Sequence, residues 1–407
     1  MIKNSRKQKK KQMQSNWWME KNSHNTPNLL LDAYLKITQF LPTKWKNKLV
    51  YQTGQIILSL SRIYYILARK TTELYQLEGI EKYSNKKFVL LIGSNKETRI
   101  FFSHFLFNKL LNERYLGFFS YKKIHKKIIK QQGTYDLAII KSDRYYQSFF
   151  QKNNYVLMPE LISFTKILPN TSDKLSSSFT IEIQNEINHC LQLNYTYEIC
   201  SDYTYFTLFY YNMYKPYIQW KHHSTAKIVS FQTIKYLYQS GAKILFVKHN
   251  DQIIFGGLFM RVKDNIITYY AAFMKDKFDY LEKGVTSLSY YFLMEYAINE
   301  RIKSIDFGTA SPFINEGIFK FKSKWDMTIQ QPSPIVSQIY SLYFKSNSTS
   351  ARSFLLHNPF IMYKDRKLIG IFFSLDYQEN KLEKKKHINT LKGLSDIYYT
   401  TPRDFLN

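Results

Sequence analysis

Residues 242–273 constrain the fold more than any other stretch. Ala242 to Lys248, Gln252 to Val262 and Ile266 to Phe273 are three apolar runs of strand composition. Only His249, Asn250 and Asp251, then Lys263, Asp264 and Asn265, separate them. Those are turn residues, and connections so short reverse the chain rather than carry it across a sheet. An antiparallel meander is expected. Gly256 and Gly257 inside the middle run predict a bulge or a close approach by another group.

The flanks extend the pattern. Phe231 to Gln239 reads as a helix closed by Gly241. After the meander come a loop (Met274 to Lys283), Gly284 and a helix from Val285 to Glu300. The spacing gives that helix a buried stripe of Leu288, Tyr291, Met294 and Ile298. A short strand, Ser304 to Phe307, closes at Gly308. The order is meander, loop, helix, strand. The loop feeding the helix suits a phosphate-bearing ligand, because first-turn N–H groups lack intrahelical acceptors.

Upstream, strand-like runs (Phe88 to Ile92, Tyr135 to Ile140, Tyr155 to Met158, Leu161 to Leu168, Asn194 to Ile199) alternate with helical ones. The expected helices are Thr98 to Asn112, Ile181 to Leu191 and an aromatic helix, Tyr203 to Tyr214, ending before Pro216. This alternation predicts an α/β fold with a mixed sheet. Asn28 to Leu77 has apolar residues at helical spacing and predicts a helical extension. Past Pro332 and Pro334 the pattern weakens. Phe360 to Tyr363 and Leu368 to Leu375 suggest a hairpin, and Gln378 to Lys392 is charged and expected to be exposed. The reading divides the chain into a basic tail (1–27), a helical extension (28–80), two α/β units (81–180 and 181–335) and a C-terminal extension (336–407).

The net charge of +27 favours phosphates, nucleic acid or an anionic membrane face as partners. Lys3, Arg6, Lys7 and Lys9 to Lys11 are followed by polar residues, not by the apolar run of a signal peptide. The longest apolar stretch, Gln55 to Ala68, is interrupted by Arg62 and falls short of the ~20 residues a spanning helix needs. The expected location is cytoplasmic, with peripheral contact to the inner membrane face open to the basic tail. Cys190 and Cys200 lack metal-ligand spacing, so no metal centre is expected. No Gly-x-Ser-x-Gly, Walker A or HExxH string occurs.

Three strings carry a resemblance: Asn212 to Ala226 (NMYKPYIQWKHHSTA), Ile244 to Val262 (ILFVKHNDQIIFGGLFMRV) and Ile305 to Met327 (IDFGTASPFINEGIFKFKSKWDM). With the element order they resemble the BioF2-like and FemAB-like branch of the GNAT acyltransferases. There a strand ending in Asp-Phe-Gly precedes a segment like Gly-x-x-x-Phe-Lys-x-x-Phe/Trp. Here these positions are Asp306, Phe307 and Gly308, then Gly317, Phe321, Lys322 and Trp325. The likeness covers roughly residues 180–330. It implies tandem GNAT-like units and an N-acyltransferase using acyl-CoA (acetyl-CoA) or aminoacyl-tRNA. It also implies an amine-bearing acceptor such as an amino sugar or cell-envelope precursor.

That resemblance puts the donor's pyrophosphate at Lys283, Gly284, Val285, Thr286 and Ser287. The sequence has one glycine there, where the superfamily has several. Asp306 is the candidate general base, or else caps the loop after it. Lys322 is the candidate anion or oxyanion group, or else a solvated lysine between Lys320 and Lys324. His222, beside His223, is a candidate for acid/base work or a surface histidine. Trp325 and Phe321 read as core. Two readings of other kinds stay open. One is aminoacyl transfer from tRNA. The other is a non-catalytic basic protein binding nucleic acid or a membrane surface.

Overall fold

The computed structural model describes residues 71–131, 133–223, 226, 228–331, 338–345, 348–375 and 390–406. The basic tail, the helical expectation over 28–70 and residues 376–389, which include most of the charged segment, lie outside the described residues. The chain runs β1 (Thr71–Glu81), β2 (Lys87–Gly93), α1 (Lys96–Leu106), β3 (Phe107–Ser120), α2 (Tyr121–Lys130), β4 (Leu137–Asp143) and α3 (Gln147–Lys152). Next come β5 (Val156–Pro159), β6 (Ile162–Ile167), α4 (Ile181–Leu191), β7 (Tyr195–Cys200), α5 (Tyr203–Leu208), a π turn (Phe209–Tyr214) and α6 (Lys215–His222). Then follow α7 (Phe231–Gln239), β8 (Lys243–His249), β9 (Gln252–Val262), β10 (Asn265–Phe273), α8 (Val285–Asn299), β11 (Ser304–Ala310), α9 (Gly317–Ser323) and β12 (Thr328–Gln330). Last are β13 (Gln338–Phe344), α10 (Thr349–His357), β14 (Phe360–Lys364), β15 (Lys367–Phe373), β16 (Asp396–Thr400) and α11 (Pro402–Leu406).

The fold is mixed α/β with two mixed sheets. One has nine strands in the order β16-β15-β14-β5-β13-β4-β2-β1-β3, the other seven in the order β12-β6-β11-β10-β9-β8-β7. In the seven-stranded sheet β7, β8 and β9 pair antiparallel. β10 lies beside β9, and β11 pairs parallel to β10 through Asn265–Ile267 and Ser304–Asp306. The meander, helix and parallel return strand follow the order expected from the sequence. The β8–β9 turn uses Asn250 (φ 48°) and Asp251 (φ 63°), residues that accept left-handed backbone readily.

Two compact units can be drawn. One comprises Ile187–Lys263 and Thr268–Leu293, the other residues 71–186, 264–267 and 294–406. In the second, Leu77, Phe88, Phe102, Phe313, Leu342 and Phe354 share one buried core.

Several expectations are corrected. Residues 71–77, read as helical, form most of β1, in which Leu74 and Leu77 are fully buried. The helix expected over Thr98 to Asn112 ends at Leu106, and Phe107 begins β3. Apolar residues in this stretch mimic helical spacing, but β1 offers a partner along its whole length. Gly79 permits that pairing, since a Cβ there would sit 2.5 Å from the Phe107 ring. The aromatic helix does not stop before Pro216. A π turn widens it, and α6 continues to His222 with Pro216 in its first turn, where a missing N–H costs little. Helix α8 is not striped: Val285, Leu288, Phe292, Leu293, Met294 and Ala297 are buried nearly all round it, while Tyr291 and Ile298 are half-buried. Beyond the prolines, β13 is a central strand between β4 and β5.

Candidate functional site

The candidate donor loop starts pinned. The Met274 N–H donates to the Ile254 carbonyl at 2.8 Å, and the Lys275 N–H to the Asn212 carbonyl at 2.9 Å. A 3₁₀ turn, Phe278–Leu281, precedes Gly284. Gly284 has φ 74°, in the left-handed region that costs a Cβ-bearing residue ~1–2 kcal/mol. Its carbonyl accepts the Leu288 N–H at 3.0 Å, opening the first turn of α8. Gly284, Val285 and Ser287 are buried and Thr286 half-buried, so the exposed charge beside this first turn comes from Asp279, Glu282 and Lys283 of the preceding loop. The Lys283 ammonium does not stand alone. It pairs with Asp279 at 2.6 Å, four residues earlier, both side chains exposed. Such a pair is weak and can be exchanged for a phosphate. The Lys283 carbonyl accepts from the buried Cys190 thiol at 3.4 Å.

Asp306 and Lys322 lie in the other unit and meet around the irregular stretch of β11. Pairing of β11 with β6 shifts register between Asp306 and Thr309, and Gly308 sits in the shift with φ 75°. The Asp306 carboxylate accepts the Gly308 N–H at 2.8 Å. Lys322 is 4% exposed and is no solvated lysine, although Lys320 is exposed and Lys324 half-buried. Its ammonium donates to the carbonyls of Phe307 at 2.8 Å and Thr309 at 3.0 Å and stands 5.5 Å from the centre of the Phe164 ring. Burial pushes Lys322 down to about 8, against the opposing fields of Asp306 and Glu316. Burial raises Asp306, while the Gly308 N–H and Lys322 oppose the rise. Both shifts have burial as their first cause, so each group is held nearer its neutral form than it would be in water.

His222 is exposed on the last turn of α6, in the unit that holds Lys283 to Ser287. Partial desolvation by neighbouring atoms, then the charges of Lys221 and His223, lower its pKa even though the side chain is exposed. Trp325 is fully buried against Phe179, ring centres 5.0 Å apart, and Phe321 packs on it at 6.1 Å. Both are packing residues, as read from the sequence. Among the described residues no group of three His, Cys, Asp or Glu can hold a metal, and no helix is long and apolar enough to cross a membrane. The sequence reading missed Trp220, an exposed indole on α6. Its signal was present in the aromatic spacing of Tyr217 and Trp220, but nothing local paired it with Phe278.

No family model matches the sequence, and no curated protein matches it significantly. Solved structures give likenesses of low identity. FemX is 13% identical, with 66% of this chain and 84% of that one covered, at a TM-score of 0.36. L-PGS from Bacillus licheniformis is 12% identical, covering 69% and 88%, at 0.33. A tandem GNAT protein from the clavulanic acid biosynthesis pathway is 7% identical, covering 72% and 89%, at 0.32. Superpositions this loose name neither a family nor a substrate. The chain's own strand order, with β11 parallel to β10 and a glycine-led helix between them, defines it as a mixed α/β protein.

Proposed function

We propose that this chain is an N-acyltransferase of tandem GNAT-like build. It moves an acyl group from acyl-CoA to the amine of an amino sugar or a cell-envelope precursor. The observation that carries the reading is Gly284, in left-handed backbone, opening a helix that joins two parallel strands. Backbone N–H groups at such a helix start suit a pyrophosphate. Lys283 adds charge once it leaves Asp279. The amine attacks the thioester carbonyl and the C–S bond breaks. A carboxylate base takes the amine's proton, the role for which Asp306 is proposed from its own unit's geometry, and the thiolate leaves to be protonated as free CoA. Lys322, its ammonium engaged by the Phe307 and Thr309 carbonyls, is assigned to holding the irregular stretch of β11 beside Asp306, with its charge available to an anion only once those bonds are given up. His222 is assigned a supporting role in proton exchange.

A second reading, aminoacyl transfer from charged tRNA, is favoured by the net charge of +27. The test is thiol release from acetyl-CoA in the presence of amino sugars, run beside transfer from aminoacyl-tRNA. Thiol release that requires both acetyl-CoA and the amine supports the first reading. Transfer from tRNA alone supports the second, and neither sinks both. The reading places the chain in the cytoplasm, with the basic N-terminal tail able to touch an anionic membrane face.

A further inference from the structure

A ladder of rings climbs from the sheet to the surface in the unit that holds the donor loop. Phe255 of β9 meets Phe273 of β10 at 5.0 Å, and Phe273 meets Tyr217 at 5.5 Å. Tyr217 is 6% exposed and lies 5.7 Å from Phe278. At the top, the Trp220 indole packs at 4.7 Å on Phe278 and at 5.9 Å, stacked, on Tyr217. It remains 43% exposed. An indole seated on two rings is held in one orientation before any ligand arrives, so little freedom is lost on stacking.

Its own helix carries the opposite sign to a phosphate, while the loop that supplies Phe278 is mixed, with Asp276 and Asp279 exposed around Phe278 and Asp279 paired to Lys283. Lys215, Lys221, His222 and His223 on and after α6 are exposed, as is Lys275 in the loop. The stretch 215–223 contains no acid. Lys221 stands 5.5 Å from the Tyr217 ring centre and donates to its hydroxyl at 3.4 Å. A neutral sugar needs no such cations, whereas a nucleotide needs both the flat face and the charge. Phe278, the support of Trp220, belongs to the loop that ends at Lys283 and Gly284.

We propose that Trp220 is the stacking platform for the adenine of a phosphorylated adenosine, with Lys215 and Lys221 of α6 and Lys275 meeting its phosphates. This rests on the proposed donor reading for the choice of base, because CoA and the 3′ end of tRNA both carry that group. The test uses calorimetry on the full chain, with adenosine 3′,5′-bisphosphate, 4′-phosphopantetheine and a CCA trinucleotide as probes. Trp220→Ala is expected to weaken the bisphosphate about ten-fold or more. Trp220→Phe should retain most of the affinity, and phosphopantetheine should bind all three proteins alike. Tighter, Trp220-dependent binding of CCA would assign the adenosine to tRNA and keep the platform. Unchanged bisphosphate affinity in Trp220→Ala, equal loss of both small probes, or no nucleotide binding to the wild type would overturn it. If the bisphosphate depends on Trp220 while acetyl-CoA supports no transfer, the platform stands and the acyl-CoA reading falls.

Discussion

The Lys322 ammonium donates to the carbonyl oxygen of Phe307 at 2.8 Å from a side chain that is 4% exposed. A second bond, to Thr309, spans Gly308, so one lysine holds both sides of the β11 irregularity. Lys322→Met removes both donors and leaves two carbonyls wanting partners. A loss of about 2 kcal/mol in denaturant-derived stability is expected. The pH dependence has a defined sign. The folded lysine titrates at about 8, below an unfolded one, so between those values the unfolded chain binds more protons and wild-type stability rises with pH. The gap between wild type and Lys322→Met should therefore widen from pH 8 to 10 and stay level below pH 7.

Asp306 separates a capping role from a chemical one. Asp306→Asn can still accept the Gly308 N–H but carries no charge. Because burial raises this carboxyl, its ionisation costs stability above the folded pKa. The Asn variant should match or exceed the wild type's melting temperature at pH 7, with the advantage shrinking as pH falls. Asp306→Ala should melt lower. If Asp306 takes the amine's proton, both variants lose transfer about 100-fold or more. An Asn variant of full activity would leave Asp306 as a cap.

Gly256 is a tight position in the middle strand, where an added side chain must displace its neighbours. A Cβ would lie 3.0 Å from the Phe209 ring and 3.1 Å from Met213 and Phe246. Gly256→Val should cost about 1–3 kcal/mol by overpacking, read from urea unfolding. Gly257 meets nothing nearer than 3.7 Å, and Gly257→Ala should cost clearly less.

Lys283→Ala breaks an exposed pair with Asp279 and an ammonium contact 4.2 Å from the Tyr280 ring centre, both weak at the surface. Its melting temperature should equal the wild type's, while donor affinity falls and loses part of its salt dependence. Unchanged affinity would remove Lys283 from the donor site.

The sequence made the meander legible because its turns are local: Asn250 and Asp251 dictate a hairpin whatever surrounds them. Asp306 and Lys322 were legible as a string, but not their bonds, since the Lys322–Phe307 contact depends on how α9 packs over β11. β3 was misread because its pairing with β1 spans a distance in sequence that no local spacing reports. β13 was missed for the same reason: it pairs Gln338 with Asp143 of β4 and Ile339 with Pro159 of β5, far upstream in sequence. The pairing of Trp220 with Phe278 likewise joins separate segments.

The most direct test of the donor assignment is a thermal-shift titration with acetyl-CoA on wild type and Gly284→Trp, with CoA and a charged tRNA as comparators. A ligand that binds only the folded state raises the melting temperature as its concentration rises. A saturable rise with acetyl-CoA in the wild type, absent from a Gly284→Trp protein that still unfolds cooperatively, is the expected result. No rise in the wild type at millimolar acetyl-CoA, or the same rise in both proteins, would contradict the placement of an acyl-CoA donor at Gly284.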